Sequence, residues 1–243
     1  WSDVVSVSTI GEALYGFYGY KVEGVYTSLD DLQNSPLPAK SMIKNDDGTW
    51  SHYDASFYNK NTTTWVGDLK FKDLNHDGVI DENDRTNIGS PLPKFTFGWT
   101  NNFTWKNWDF SFFLRGTLGN KILNNTLAAY GTPNYIDGTN AMKNDNLTKI
   151  KESAKVSSFW IENGSFARLD NMTLGYTFDT KKLDWLSKAR LYVTAQNLFV
   201  ITGYKGLDPE VNYSSTSGLS PGIEAREYFP KSRSFIFGVN LTF

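Results

Sequence analysis

The chain has 243 residues, and 24 basic against 26 acidic side chains leave a formal net charge of -2, without the basic surplus that a nucleic-acid partner demands. Cysteine is absent and histidine occurs twice, which removes disulfides, zinc–thiolate sites, iron–sulfur clusters and thiol nucleophiles. Eight Trp, 13 Tyr and 17 Phe make 16% of the residues aromatic, more than a water-soluble core needs, yet no apolar run approaches the ~18–20 residues of a spanning helix.

The chain begins at Trp1 without a Met, a basic n-region or an apolar h-region. No secretory signal is visible, and the expectation is a processed chain or a piece of a longer one. Residues 14–26, dense in Tyr, Phe and Gly, predict a first strand. A long connection over 27–94, rich in Asn, Asp, Ser, Gly and Pro, follows it. Phe95, Phe97, Trp99, Phe103 and Trp105 then fall on one face of a second strand. Trp108, Phe110, Phe112 and Leu114 oppose Asp109, Ser111, Phe113 and Arg115 in the next. Lys106-Asn107 alone separates the two, a tight hairpin signal.

A second long connection spans 116–164, and a weak 3.6-residue period over 141–154 predicts a helix inside it. Within 165–178, Met172, Leu174, Tyr176 and Phe178 alternate with Asn171, Thr173, Gly175 and Thr177. Within 190–201, Leu191, Val193, Ala195 and Asn197 alternate with Arg190, Tyr192, Thr194 and Gln196. After a third long connection over 203–231, Phe235, Phe237, Val239, Leu241 and Phe243 face away from Ser234, Ile236, Gly238, Asn240 and Thr242. The short connections are 106–107 and 179–189. Alternating short turns and long loops are the pattern of an outer-membrane barrel, whereas structureless loops beyond ~15 residues are rare in compact soluble domains.

Such alternation also suits a soluble β-sandwich, whose inward faces are apolar. Two features favour a barrel wall. Large rings gather near strand ends at Trp99, Trp105, Trp108, Tyr176, Phe178 and Phe243, as interfacial girdles do. The opposite faces carry Asn, Thr, Ser, Gly and Arg, which suit a wet lumen better than a dry core, where each unpartnered polar group costs ~1–3 kcal/mol. The fold class expected is all-β: antiparallel up-and-down strands forming part of a large transmembrane β-barrel wall, with long extracellular loops. About six strands cannot close a barrel that starts at ~8, so further strands are expected from sequence N-terminal to Trp1. The competing expectation is a secreted, calcium-stabilised β-sandwich that binds carbohydrate.

One loop carries a metal-ligand pattern. Asp73, Asn75, Asp77, Val79, Asp81 and Asp84 occupy positions 1, 3, 5, 7, 9 and 12 of an EF-hand-like calcium loop, with Gly78 at position 6. Val79 would offer its carbonyl. Asp84 replaces the usual bidentate Glu and is one methylene shorter, which opens the site to Mg2+ as well as Ca2+. Asp, Asn and Gly are also ordinary turn residues, but this many in register favours a divalent cation. The flanks, Leu69-Lys-Phe71 and Gly89-Ser-Pro-Leu-Pro93, read as strand and extended turn rather than as helices.

Several segments together resemble the C-terminal part of a SusC/RagA-family TonB-dependent outer-membrane transporter. They are Gly16-Phe-Tyr-Gly-Tyr-Lys21 with Gly24-Val-Tyr26, Gly67 through Asp81, Asp84-Arg with Ile88-Gly-Ser-Pro-Leu-Pro93, Phe166-Ala-Arg-Leu-Asp170 with Leu174-Gly-Tyr176, Gln196-Asn-Leu-Phe199 with Tyr204-Lys-Gly-Leu-Asp-Pro-Glu210, and Tyr228-Phe-Pro230 to Phe243. The resemblance covers nearly all of 1–243 and implies one stretch of a barrel of roughly 22 strands. It further implies an N-terminal plug contacting TonB, a SusD-like lipoprotein lid, outer-membrane lipid around the wall, and glycan or oligopeptide cargo. The plug, the TonB-contacting segment and the earlier strands lie outside this sequence, so no coupling or cargo residue carries over. By the same resemblance the last strand runs towards the periplasm and the three long loops face outwards. Their aromatics, Trp50, Tyr53, Tyr58, Trp65, Tyr130, Tyr135, Trp160 and Tyr213, are expected to pack the loops together, with stacking on sugar rings the other use of such side chains. No enzymatic role is expected. His52 and His76 lack partners at motif spacing, and the pairs Asp30-Asp31 and Asp46-Asp47 read as solvated carboxylates without the split pKa values of an acid–base pair.

Overall fold

In the computed structural model the described residues are 5–59, 63–131, 150, 155–181, 185–211, 221–225 and 229–243. They divide into two units. The first comprises Trp1–Leu92, Lys121–Glu162 and Val211–Tyr228, and the second Pro93–Asn120, Asn163–Glu210 and Phe229–Phe243.

The first unit is made from the supposed loops. It opens with β1 (Ser6–Val7), β2 (Gly16–Tyr20) and β3 (Val22–Val25). Helix α1 (Leu29–Gln33) is capped by Ser28, whose hydroxyl accepts the Asp31 N–H. β4 (Leu37–Pro38), β5 (Met42–Lys44), β6 (Trp50–His52), β7 (Leu69–Phe71), β8 (Val79–Ile80) and β9 (Arg85–Gly89) follow. Apart from the sheet β1–β2–β9, these strands pair two by two, as β3–β7, β4–β8 and β5–β6. After the hairpin of β10 (Phe95–Trp105) and β11 (Trp108–Leu118) in the second unit, the chain adds β12 (Lys121–Leu123), α2 (Asn125–Tyr130) and β13 (Ile161–Asn163). It then completes the second unit with β14 (Phe166–Phe178), β15 (Lys188–Thr202) and β16 (Ser234–Thr242).

Burial explains why such polar segments fold. Phe17, Tyr20, Leu69, Phe71, Leu123 and Trp160 form one apolar cluster, and Tyr26, Leu32, Leu37, Met42, Tyr58 and Val79 form another. Each fully buried large side chain contributes ~1.5–3 kcal/mol. The strand expected over 14–26 is therefore a correction. It splits into β2 and β3, and β2 pairs with β1 and β9 rather than joining the large sheet. The helix expected over 141–154 falls almost wholly outside the described residues.

Gly19 shows how tight this packing is. Tyr20 N–H donates to the Val156 carbonyl at 2.9 Å, and a Cβ on Gly19 would stand 2.8 Å from the Val156 carbonyl carbon. Gly19→Ala is expected to cost about 1–3 kcal/mol through overpacking. Limited proteolysis should show faster cleavage in residues 5–59, and an unchanged digestion pattern would contradict this packing.

The second unit is a five-stranded antiparallel sheet in the order β10–β11–β14–β15–β16. Its register puts Phe103, Phe110, Leu174, Val193 and Phe237 in one row across all the strands. The adjacent row on the opposite face is Asn102, Ser111, Thr173, Thr194 and Ile236. Thr173 and Thr194 share a hydroxyl hydrogen bond of 2.8 Å within it. The ring-bearing face is bare: Trp99 is 54% exposed, Trp105 67% and Phe237 81%. A sandwich would bury that face against a second sheet, so the exposure favours a wall.

In the large sheet, period-two reading fails at Asp170 on β14. The pairing shifts register there both with β11, between Phe113 and Leu114, and with β15, between Leu169 and Asn171, where Asn197 adopts φ 50°. A bulge re-aims the side chains beyond it. Beyond Asp170, Leu169 therefore pairs with Leu114 on the ring-bearing side and Arg168 with Arg115 on the polar side, the reverse of what unbroken alternation from Met172 places there, whereas Phe199 on β15 keeps the face of Ala195.

Candidate functional site

The six residues of the metal pattern run through a bend over 73–78, the short strand β8 and the helical turn that follows it, a segment braced by its own hydrogen bonds. Asp73 accepts the N–H groups of His76 at 2.6 Å and Gly78 at 2.9 Å. Asn75 accepts the Asp77 N–H at 3.2 Å, and Asp77 accepts the Val79 N–H at 3.0 Å. Gly78 at φ 85° and His76 at φ 61° make the sharp bend. Asp81 caps the short helical turn Glu82–Asp84, accepting the Asn83 N–H at 2.8 Å. Asp84 is fully buried, and its two oxygens accept the N–H groups of Leu74 at 2.7 Å and Asp81 at 2.9 Å. Asp84 thus pins the two ends of the loop together as a cap. Among the described residues no three His, Asp or Glu side chains converge as a metal cluster would require.

Sequence reasoning missed a second constellation, on the polar face of the large sheet. Arg168 on β14 is 3% exposed and directs Nη2 to both oxygens of Asp208, at 2.7 and 2.8 Å. Its Nε lies 2.8 Å from Glu210. Arg115 on β11 gives Nε to Asp170 at 2.8 Å and Nη1 to Glu210 at 2.6 Å. Lys231 reaches Glu210 at 2.8 Å. Three cations and three carboxylates therefore tie two strands to the segments on either side of 211–228. Burial alone would push the Glu210 carboxyl up. Arg115 and Lys231 outweigh it and hold the group below the usual carboxylate range. The only sequence signal was the pair of motifs Phe166-Ala-Arg-Leu-Asp170 and Gly206-Leu-Asp-Pro-Glu210, whose mutual contact no spacing reveals.

The same face carries Asp109 and Arg190, joined by a two-point ion pair, with the guanidinium 4.9 Å from the Tyr192 ring. Gly175 lies beneath this pair. A Cβ there would stand 2.6 Å from the Asp109 carboxylate, so glycine leaves the room that the pair occupies.

The remaining candidates are structural. Trp160 and Tyr58 are buried, while Trp50, Tyr53 and Trp65 pack partly buried against the second apolar cluster. Tyr130 is half-buried at the end of α2, and Tyr135 and Tyr213 lie outside the described residues. His52 Nε2 sits 2.8 Å from the Ser35 carbonyl, and His76 occupies the acidic turn.

Asp31 corrects the expectation of a solvated carboxylate. It takes Lys70 Nζ at 2.8 Å, the Thr27 N–H at 3.0 Å and the Ser35 hydroxyl at 3.1 Å. Lys70 first, then the Thr27 N–H, lower its carboxyl to about 2. A depressed folded-state pKa gives stability that is present above the unfolded value near 4 and lost as pH falls through 2. With a quarter of each side chain in solvent the contribution is roughly 1 kcal/mol. Hydrogen exchange over residues 27–33 should separate Asp31→Asn from the parent at pH 6, and the gap should close below pH ~2. A gap that persists there would refute this assignment.

A five-stranded antiparallel sheet, bare and aromatic on one face and polar on the other, is a stretch of β-barrel wall. Comparison with known proteins agrees. TonB-dependent receptor P3 of Formosa agariphila is 32% identical over 247 residues, which cover 96% of this chain and 22% of that protein. TonB-dependent receptor SusC of Bacteroides thetaiotaomicron is 34% identical over 183 residues, covering 71% of this chain and 17% of that protein. The RagAB peptide importer in its open-open state matches over 100% of this chain and 24% of its own, with a TM-score of 0.58 at 20% identity, a likeness of fold. No family model matches the chain. The chain belongs to the SusC/RagA-type TonB-dependent receptors, and it spans less than a quarter of the length of these curated relatives.

Proposed function

We propose that this chain forms part of the wall and outer loops of a bacterial outer-membrane transporter that imports glycans or oligopeptides. TonB energises it through a plug carried elsewhere in the polypeptide, and a SusD-like lipoprotein closes it from outside. The observation that carries this reading is the bare ring-bearing face backed by a polar one. Lipid is the solvent that suits such a face, and the free edges of β10 and β16 close against further strands of the same protein, because unpaired amides in lipid cost several kcal/mol each. Relatives named as TonB-dependent receptors and a neighbour named as a peptide importer support the transport class. The test is deletion of the intact gene in its host, followed by growth on defined oligosaccharides and defined oligopeptides as separate carbon sources. Loss of growth on one set identifies the cargo class. Unimpaired growth on every oligomer would overturn the reading.

The acidic loop is proposed to take up a divalent cation, Ca2+ or Mg2+, through Asp73, Asn75, Asp77, Asp81 and the Val79 carbonyl, with Asp84 behind them as the cap. Support comes from the order of hard oxygen donors and the glycine bend at their centre. Calcium is expected to slow proteolysis within residues 69–93 of the intact protein, and chelation to restore it. Identical digestion with and without chelator would count against the site.

A further inference from the structure

The ring-bearing face of the sheet is not uniform. Across β14, β15 and β16 it sinks into a trough of about 410 Å3, within the size range of small-molecule sites. Trp108 and Tyr176, packed edge to face with ring centroids 4.8 Å apart, stand on one side. Phe237 stands on the other, and Leu191, Val193 and Val239 line the space between them. Trp108 immediately follows the Lys106-Asn107 turn, and Tyr176, Leu191 and Val239 lie within three residues of the same ends of their strands. The trough therefore opens near the short-turn rim, the periplasmic side of a barrel.

Cations sit at that rim. Lys106 holds Nζ 5.0 Å over the Trp105 ring, at the turn next to Trp108. Lys181, in the turn after β14, is 90% exposed and is only loosely paired with Asp179, at 3.7 Å. An apolar trough with ammonium groups beyond its mouth matches a molecule that has an acyl chain and an anionic head. In the periplasmic half of the bilayer that molecule is a phospholipid.

We infer that this trough is a preferred seat for one phospholipid acyl chain, with its phosphate beside Lys106 and Lys181. The inference rests on the reading of the sheet as a membrane wall. A chain lying there covers the floor that the tall rings leave open. Aromatic walls add area at little conformational cost, because their own motions are already restricted by edge-to-face packing. Lipid exchange at this position is slower than elsewhere on the wall, since leaving exposes both the chain and the floor.

The experiment uses the intact transporter in nanodiscs containing phosphatidylethanolamine with a photoreactive group midway along one chain. Irradiation and peptide mapping should find label concentrated on Leu191, Val193 and Val239 above that on Trp99 and Phe235, which are exposed on the same face. Val193→Trp, which fills the trough with a side chain that lipid tolerates, should lower the label there to the level at Trp99. Lys106→Gln with Lys181→Gln should reduce it in part. Equal label at Val193 and Trp99 would overturn the trough while leaving the wall in place. Preferential labelling by a photoreactive lipid A in place of the phospholipid would overturn the choice of ligand. Absence of label from the whole ring-bearing face would overturn the wall reading itself.

Discussion

Asp208→Asn is expected to cost about 3 kcal/mol, one of the two largest single-residue effects in the second unit. The reason is not the strength of one ion pair. Asp208 and Arg168 are each at least 96% removed from solvent, so removing one charge strands the other, and stranding a buried charge is what costs 3–5 kcal/mol. The lower end applies because Glu210 stays beside Arg168 Nε and supplies part of the compensation. Arg168→Met alone should be similarly harmful, leaving Asp208 without its guanidinium. The double variant Arg168→Met with Asp208→Leu should recover most of the loss, since a buried pair replaced by apolar residues of similar volume is often neutral. Denaturant titration of the intact protein in detergent, followed by tryptophan fluorescence, gives the double-mutant cycle. Additive losses in the double variant would mean that the two residues do not act as a pair. Proteolysis offers a local readout: cleavage within 203–231 should accelerate in each single variant, because the pair anchors the start of that segment to β14.

Much of the wall was legible because period-two alternation is a local signal. Phe110 and Leu174 could be placed on one face from their own strands without knowing that they are cross-strand partners. What alternation cannot announce is its own interruption. Nothing around Asp170 marks it as the residue at which β14 exchanges its faces and sends Arg168 to the polar side. The 14–26 segment was misplaced for a related reason. Phe17 and Tyr20 have the composition of wall aromatics, yet they are buried in a cluster completed by Leu123 and Trp160, more than a hundred residues away. The acidic loop shows the opposite case. Its spacing was plain, but what Asp84 does depends on where its oxygens point, and they point at the Leu74 and Asp81 amides. The Arg115–Glu210 contact joins residues 95 positions apart, a relation that only the fold creates.

A paired set of substitutions at the middle of β14 should separate lipid from protein as the neighbour of the ring-bearing face. Met172 lies on that face opposite Phe112 and Ala195, and Thr173 lies on the other, opposite Ser111 and Thr194. Met172→Arg is expected to cost about 2–4 kcal/mol, the penalty for arginine near the bilayer midplane. Thr173→Arg should cost well under half of that, because the guanidinium enters a polar lumen and loses one hydroxyl hydrogen bond worth ~0.5–1.5 kcal/mol. A charged substitution alone cannot distinguish lipid from a packed core, since both reject it. Met172→Phe can. Lipid chains rearrange around a larger ring, so the change should be near neutral, whereas a packed second layer would charge about 1–3 kcal/mol for overpacking. Equilibrium unfolding of the intact protein in lipid vesicles measures all three. If phenylalanine at 172 destabilises as much as arginine does, the rings meet protein and the face does not border a bilayer. If arginine is as harmful at 173 as at 172, the polar face is not wet.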